Sequence, residues 1–561
     1  MSDTGPHTSW DSEVDVLVAG SGIGGLGTAV IAAANGAEVA VVEKAATIGG
    51  TTAKSAAYMW IPNNRYLREG GGTDPRPDAL RYMAKLARPR LYDPDHPNLG
   101  LPEWEYAGIA AFYDHASEAA ETYERMGVLD FGHAAEFPDY YAHFPEDAAP
   151  VGRILFPAAS EGAPHGGRIL VEKFAEACRH AGVPIAVEAR VTDIVLDDDG
   201  GVAGAVVEEG GKHRRVRTRR GVVFATGGFT HDPELRLRYL DQHYVGGCAA
   251  LTNTGDLLRI AQQAGADLAN LNLGMRAPIV LDRLQHDPAA VRGSFMIPGD
   301  SMIIVNRFGR RVISEKQPYH DFARVFFEWD GQRGTYPNNP LIAIWDQAAE
   351  RFGGEGFGNP IPPPGADDYW VISADTLPEL EQGLAARLHG LRTLTGQAQL
   401  DSGFGTTLEA TIDRWNDMAR EGADHEFGRG STPIEQGLSA YFGVGTGPNP
   451  MMAPLASEGP YHATVLGPAL IDTAGGPRCD PHGRVLRPDN TAIRGLFAVG
   501  NCAAAPSGEA YWAGGHTIGF IQCAAYLAGR AVAQGELAEA RPSTNRQRPL
   551  SDTVSTGKGN R

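Results

Sequence analysis

Residues Asp15 to Asn64 read DVLVAGSGIGGLGTAVIAAANGAEVAVVEKAATIGGTTAKSAAYMWIPNN, and the order of apolar runs and glycines in this stretch decides the fold. Asp15 to Ala19 is a short apolar run with β-branched residues, the pattern of a buried parallel strand. Gly20, Gly22 and Gly25 follow as G-x-G-x-x-G, with Ser21 and Gly24 between them. An Ala-rich helix then runs to about Asn35, and a second strand from Glu38 to Val42 ends on Glu43 and Lys44. The glycines permit a tight turn, close approach of the backbone to a pyrophosphate and close helix–strand packing, while the helix start offers unpaired N–H groups to phosphate. Glu43, eighteen positions after Gly25, is placed to accept hydrogen bonds from a ribose diol.

A βαβ unit alone suits any dinucleotide. Here Gly49-Gly50-Thr51-Thr52-Ala53-Lys54-Ser55-Ala56-Ala57 adds a second loop of small and hydroxyl-bearing residues directly after it. Such a loop can lie against a flat, heteroatom-rich ring system without steric conflict. GSGIGG, VVEK and GGTTAKSAAYMWIPNN together resemble the flavoproteins of the fumarate reductase and 3-ketosteroid dehydrogenase superfamily, and W-I-P-N-N is closer to the ketosteroid branch. The resemblance implies an α/β fold: a Rossmann-like two-dinucleotide-binding FAD domain interrupted by an inserted α+β substrate domain. It also implies FAD as cofactor. Attachment is expected to be non-covalent, because no histidine lies between Val14 and Asn64 to carry the family's usual link.

Composition bounds the alternatives. The chain has 561 residues, 42% hydrophobic and 21% charged, enough for a large core and two or more folding units. A net charge of −19 speaks against nucleic-acid binding. The basic run Lys212 to Arg220 reads as the solvated strand of a hairpin. Five cysteines without C-x-x-C spacing suggest neither a disulfide framework nor a metal site. The polar, acidic N-terminus is unlike a signal peptide, and no segment has the apolar length of a membrane span, so a cytoplasmic location is expected.

Along the chain, residues 1–14 read as a flexible lead, and helices are expected near Ala79 to Ala87, Glu103 to Met126 and Ile169 to Ala181. Strands are expected at Ile185 to Val195, Val202 to Glu208 and Arg214 to Val223. The resemblance assigns adenine contact to Val191 and dinucleotide contact to Ala225-Thr226-Gly227, where only small side chains let the main chain pass close. Asn253 and Asp256 resemble a further cofactor segment; Asp256 reads equally as a helix cap. Residues 1–272 thus form the first part of the FAD domain, 273–450 the inserted domain, 451–540 the return segment and 541–561 a tail of disordered composition. The late signature Gly495 to Asn501 includes Gly500 and Asn501, where fumarate reductases carry Glu at the last place.

The resemblance also supplies candidate catalytic residues. Phe137-Pro138-Asp139-Tyr140-Tyr141 resembles the P-D-Y-Y of ketosteroid enzymes, and of Tyr113, Tyr140 and Tyr141 we favour Tyr141. Tyr319 matches a catalytic tyrosine. Tyr511-Trp512-Ala513-Gly514-Gly515-His516-Thr517-Ile518-Gly519 aligns with Y-P-G-P-G-G-T-I-G of the 1-dehydrogenases, while glycine straight after Ala513 is closer to the Y-x-S-G of the 4(5α)-dehydrogenases, whose serine is replaced here. Tyr511 and the amide of Gly514 or Gly515 would hold a carbonyl oxygen. Thr517 and Ile518 open a helix aimed at the flavin. The expected reaction is desaturation next to the ketone of a hydrophobic cyclic substrate such as a 3-ketosteroid, with an electron acceptor that no motif identifies. The competing readings are a fumarate- or urocanate-type ene-reductase using Arg276, Arg310 or Arg311, and a silent flavin-loaded ketone carrier.

Overall fold

The computed structural model describes residues 9–160, 166–366, 368–443 and 445–535. The expected tail at 541–561 and most of the N-terminal lead lie outside the described residues.

The apolar run becomes the strand Ser12–Ala19, which pairs in parallel with Val39–Val42 on one side and Lys212–Phe224 on the other. Ile185–Ala186 and Ala492–Ala498 extend this sheet in parallel, and Arg484–Leu486 and the meander Ala189–Leu196, Val202–Glu209 complete it through antiparallel pairing. Val16, Leu17 and Val18 are buried on both faces, as a parallel strand covered by helices requires. The helix Ile23–Ala34 packs against His516–Gln534 and Gly166–His180, so the glycine-rich turn and the last helix of the described chain meet at one end of the sheet.

The strand expected over Ile185 to Val195 is broken. Glu188 takes a left-handed φ of 53°, and the chain passes there from pairing with Val39–Val42 to pairing with Val202–Glu209. The basic run is the outer half of a hairpin strand, and Arg217 and Arg219 lean on Glu13.

A second, five-stranded antiparallel sheet holds Gly274–Val280, Met302–Asn306, Leu341–Asp346, Ile372–Ala374 and Tyr461–Thr473. The helices Leu377–Gly390 and Phe404–Glu421 share its core with Trp415 and Leu380. Tyr461–Thr473 pairs with three strands of this sheet, so the inserted unit runs past the boundary read at 450. A change in proline and aromatic content cannot mark a crossing made inside one long strand. A small sheet of Met59–Trp60, Ile154–Pro157 and Phe131–His133 bridges the two units. Among the described residues, no helix is long and apolar enough to cross a membrane.

Candidate active site

Two clefts meet beside the glycine-rich turn. The first follows the ends of the parallel strands and is lined by Gly20, Ser21, Gly22, Gly24, Glu43 and Lys44, by Gly50, Thr51 and Thr52, and by Val191. Ala225, Thr226, Gly227, Asn253, Asp256, Gly500 and Asn501 form its other wall. Gly25 stands behind the turn, where a Cβ would lie 1.9 Å from the Gly20 carbonyl oxygen. Gly20 has φ +105°, and a Cβ there would lie 2.3 Å from the Ala225 oxygen. The turn therefore tolerates no side chain at either place. Replacing Gly20 by alanine is expected to abolish stoichiometric cofactor loading, measured as the flavin-to-protein absorbance ratio of the purified chain.

Hydrogen bonds preset this cleft. Glu43 accepts the amide and hydroxyl of Ser21 at 2.9 and 2.6 Å, and Thr52 accepts the first helical amide, that of Ile23, at 3.1 Å. The hydroxyl of Thr226 is buried on the wall, and among the described residues only the Cys502 thiol bears on it. A polar cleft with a buried hydroxyl and no room for side chains at the turn fits a dinucleotide. Asp256 is not a helix cap: Gly255 occupies that position, and the Asp256 carboxylate pairs with Lys44 at 3.1 Å and Arg190 at 2.6 Å.

Asp472 went unnoticed in the sequence. It is fully buried on this wall and accepts from Gly228 and Thr473 amides, the Thr230 hydroxyl, and Asn253 and Asn501 amide groups at 2.8 to 3.1 Å. Burial still pushes its carboxyl up from the usual value. Asn501 is thus a donor to a buried acid, a role that glutamate could not fill without like-charge repulsion.

The second cavity, about 1270 Å³ including its open mouth, shares Thr51, Thr52 and Asn501 with the first and is mostly apolar. Ser55, Ala56, Ala57, Gly514, Gly515, Thr517 and Ile518 line it, as do Tyr140, Tyr319 and Tyr511. The three phenols form one cluster: ring centroids are 5.7 Å apart for Tyr140 and Tyr319, 5.4 Å for Tyr319 and Tyr511, and 6.0 Å for Tyr140 and Tyr511. Tyr140 and Tyr511 bear electrostatically on the Tyr319 hydroxyl, and Thr517 on that of Tyr511. Burial pushes Tyr140 and Tyr319 well above the ordinary phenol value and raises Tyr511 as well. His320 stacks on Tyr511 at 5.6 Å. Its Nδ1 accepts the Arg276 amide at 3.2 Å, while Nε2 lies 2.8 Å from the Arg276 guanidinium and 3.1 Å from the Glu509 carbonyl. Burial, then the neighbouring Arg276, keeps this imidazole neutral far below its usual range.

Gly515 caps the helix His516–Gln534 with φ +85°. A Cβ on it would lie 2.4 Å from the Tyr58 carbonyl carbon, whereas one on Gly514 would meet nothing nearer than the Tyr140 hydroxyl at 3.6 Å. At a helix start the amides of Thr517 and Ile518 have no acceptor within the helix, and both residues line the cavity.

Tyr141 does not line this cavity. Successive loop residues point apart, and the Tyr141 hydroxyl donates to Asp321 while Tyr140, whose amide donates to the Trp512 carbonyl at 3.1 Å, takes the cavity position. Trp512 is likewise no part of the wall: it is fully buried among Trp60, Phe112 and His516. Ala513 is fully buried too and is not among the described lining residues. Of the arginines considered for a carboxylate-reducing site, Arg311 is held by Glu315 and Asp424 and Arg276 lies against His320, while Arg310 is exposed.

Comparison with known proteins agrees with an FAD-binding fold. A family model described as "FAD binding domain" matches residues 15–518. 4-Oxocyclohexanecarboxylate 2-dehydrogenase of Sinomonas cyclohexanicum is 32% identical, with 93% of each chain covered. 3-Oxosteroid 1-dehydrogenase of Mycobacterium tuberculosis is 29% identical over 93% of this chain and 98% of its own. The crystal structure of 3-ketosteroid delta1-dehydrogenase from Sterolibacterium denitrificans in complex with 1,4-androstadiene-3,17-dione superposes with a TM-score of 0.77 at 25% identity, covering 94% of this chain and 100% of that one.

Proposed function

We propose that this chain, which belongs to the FAD binding domain family and is an FAD-dependent dehydrogenase, acts on cyclic ketones and desaturates the carbon pair next to a ring ketone by tyrosine-assisted proton abstraction. The observation that carries this reading is the convergence of Tyr140, Tyr319 and Tyr511 with Gly515 on a mainly apolar cavity adjoining the dinucleotide cleft. The turn at Gly20 and Gly22, Glu43, Thr52, Thr226 and Asn501 would hold the cofactor.

In this reading Tyr511 and the Gly515 amide donate to the ketone oxygen and stabilise the negative charge that grows there as the adjacent carbon loses its proton. Tyr319 receives that proton as its phenolate, its own hydroxyl proton having first passed to solvent. Forming a free phenolate at neutral pH costs about 4 kcal/mol even at the ordinary tyrosine value, and burial makes it costlier. Proton transfer therefore proceeds together with charge development on the held oxygen. Bound FAD supplies the acceptor for the hydride that leaves the next carbon, and the product is an α,β-unsaturated ketone. The aromatic walls, Phe295 and Tyr319 in edge contact at 4.8 Å among them, exclude water from the ring.

The test is anaerobic mixing of the FAD-loaded protein with a saturated 3-ketosteroid and, separately, with 4-oxocyclohexanecarboxylate. At least one should bleach the flavin and yield an enone; failure of every ring ketone to bleach a fully loaded protein would overturn the reading. The pH dependence follows from the phenol environment. Because the Tyr319 pKa is raised, its base form is scarce at neutral pH and grows as pH rises. Bleaching should quicken with pH and show no plateau below the ordinary phenol value of about 10, as stopped-flow traces across buffers would reveal.

A further inference from the structure

One wall of the same cavity is a stretch without helix or strand, and a buried lysine behind it holds it in place. From Val291 to Gly299 the chain has no regular secondary structure, yet Phe295 and Met296 within it line the cavity. Phe295 meets Tyr319 edge-on at 4.8 Å. The front of the stretch is fixed by its own amides, Ser294 donating to the Pro278 carbonyl at 2.7 Å and Phe295 to the Phe357 carbonyl at 3.0 Å. Its rear is fixed by Lys316, whose Nζ donates to the carbonyls of Ile297 and Gly299 at 2.7 Å each. Arg429 shares the Gly299 carbonyl at 2.8 Å. Met296 is the partition: it lines the cavity on one side and, on the other, a small hollow that Lys316 and Gly299 also line. Lys316 stands three residues before Tyr319, in the segment Ser314-Glu315-Lys316-Gln317-Pro318-Tyr319. One side chain thus joins the wall to the segment that presents the proton acceptor.

Charge pairing does not account for this lysine. Lys316 is 9% exposed, and the acids that bear on it serve other groups. Asp300 pairs with Arg351 at 2.5 Å, Glu315 with Arg311 at 2.9 Å and Arg429 at 3.2 Å, and Glu435 accepts the Gly430 amide at 3.0 Å. Burial, then the Arg429 cation, lowers the Lys316 ammonium well below its usual range. With or without its extra proton, two N–H groups remain for the two carbonyls. A lysine buried without an ion pair costs free energy that mere packing does not demand, since methionine fills a similar space. What lysine adds is a grip on two carbonyls in a stretch that has no ladder of its own. Resting on the proposed function, we infer that Lys316 is a positioning residue: it fixes Phe295 and Met296 against Tyr319, so that a bound ring ketone lies with its acidic carbon toward that tyrosine's oxygen.

The test compares the FAD-loaded wild type with Lys316→Met, which nearly keeps the side-chain length and loses both donors. Amide hydrogen exchange at Ser294 and Phe295 should quicken by about 10- to 100-fold, the range for losing two hydrogen bonds, while the strand Met302–Asn306 keeps its rate. Flavin bleaching per loaded site, at saturating ring ketone, should slow by about 10- to 100-fold, because a misplacement of about 1 Å at the reacting atoms costs that much. A lysine that served stability alone would lower the thermal midpoint, yet the loaded sites would bleach at the wild-type rate. Should the methionine variant fail to load FAD, Lys316→Gln, which keeps one amide donor group, takes its place with a smaller expected change. Faster exchange in the stretch together with slower bleaching per loaded site supports the inference. Unchanged exchange, or unchanged bleaching per loaded site, overturns it while leaving ring-ketone desaturation intact. Absence of bleaching of the wild type by every ring ketone overturns the underlying reading, and the inference with it; that failure is told apart because it appears without any substitution.

Discussion

Tyr511→Phe should lower the rate of flavin reduction by a ring ketone by about 10²- to 10³-fold, the cost of removing one donor from an oxyanion site, while leaving flavin content unchanged. The ring stays, and with it the contacts to His320 at 5.6 Å, Tyr319 at 5.4 Å and Tyr140 at 6.0 Å. Only the hydroxyl is lost. A donor used mainly as charge develops should show its loss in kcat rather than KM. A carrier that merely shelters hydrophobic ketones would bind them nearly as before and show no such collapse. Tyr141→Phe is the matched comparison, since its hydroxyl serves Asp321 outside the cavity, and Arg324 still holds Asp321 at 2.9 Å. Its turnover should stay close to wild type, in a side-by-side stopped-flow assay.

The second large effect is on stability. Arg153 is fully buried and pairs with Asp74 at 2.7 Å, Asp147 at 2.8 Å and Asp139 at 2.5 Å. Asp139 also accepts the Trp60 indole N–H at 2.8 Å, and Asp74 accepts the Asn63 amide at 2.8 Å. One guanidinium therefore ties the small bridging sheet to the loop that presents Tyr140. Arg153→Met leaves the acidic side chains of Asp74, Asp139 and Asp147 buried without their cation and should cost about 3–5 kcal/mol, the range for breaking a buried pair from one side. The thermal midpoint of the loaded protein should fall steeply.

This cluster also sets a pH dependence. Burial, with Asp147 beside it, pushes the Asp139 carboxyl up to about 8 in the fold. A raised carboxyl contributes stability in full below its unfolded value of about 3.9 and loses it as pH climbs through the folded value. Wild type should therefore lose stability between mildly acidic and mildly alkaline pH. Asp139→Asn, which keeps an acceptor for Trp60 without a titrating group, should flatten that slope in thermal scans.

The dinucleotide cleft was legible because its logic is local. Strand, glycines, helix and acid follow one another within a few dozen residues, and Gly20 and Gly25 each answer to a backbone collision in the fold, that of Gly20 being with Ala225. Tyr319 and Tyr511 were legible through their flanking motifs. Tyr140 was not separable from Tyr141, because in an irregular loop no periodicity says which of two neighbours turns inward. Trp512 adjoins Tyr511 in the chain, yet its indole enters the core beside Trp60. Asp472 had no motif to announce it, and its importance comes from Gly228, Thr230, Asn253 and Asn501 arriving from distant parts of the chain.

The decisive measurement is a crystal structure of the FAD-loaded chain with an unreactive ring ketone bound. The ketone oxygen should lie about 2.7–3.1 Å from both the Tyr511 hydroxyl and the Gly515 amide, the spacing of an oxyanion site, with the adjacent carbon facing Tyr319. A ketone oxygen elsewhere in the cavity, with Tyr511 touching only apolar parts of the ring, would contradict the proposed chemistry.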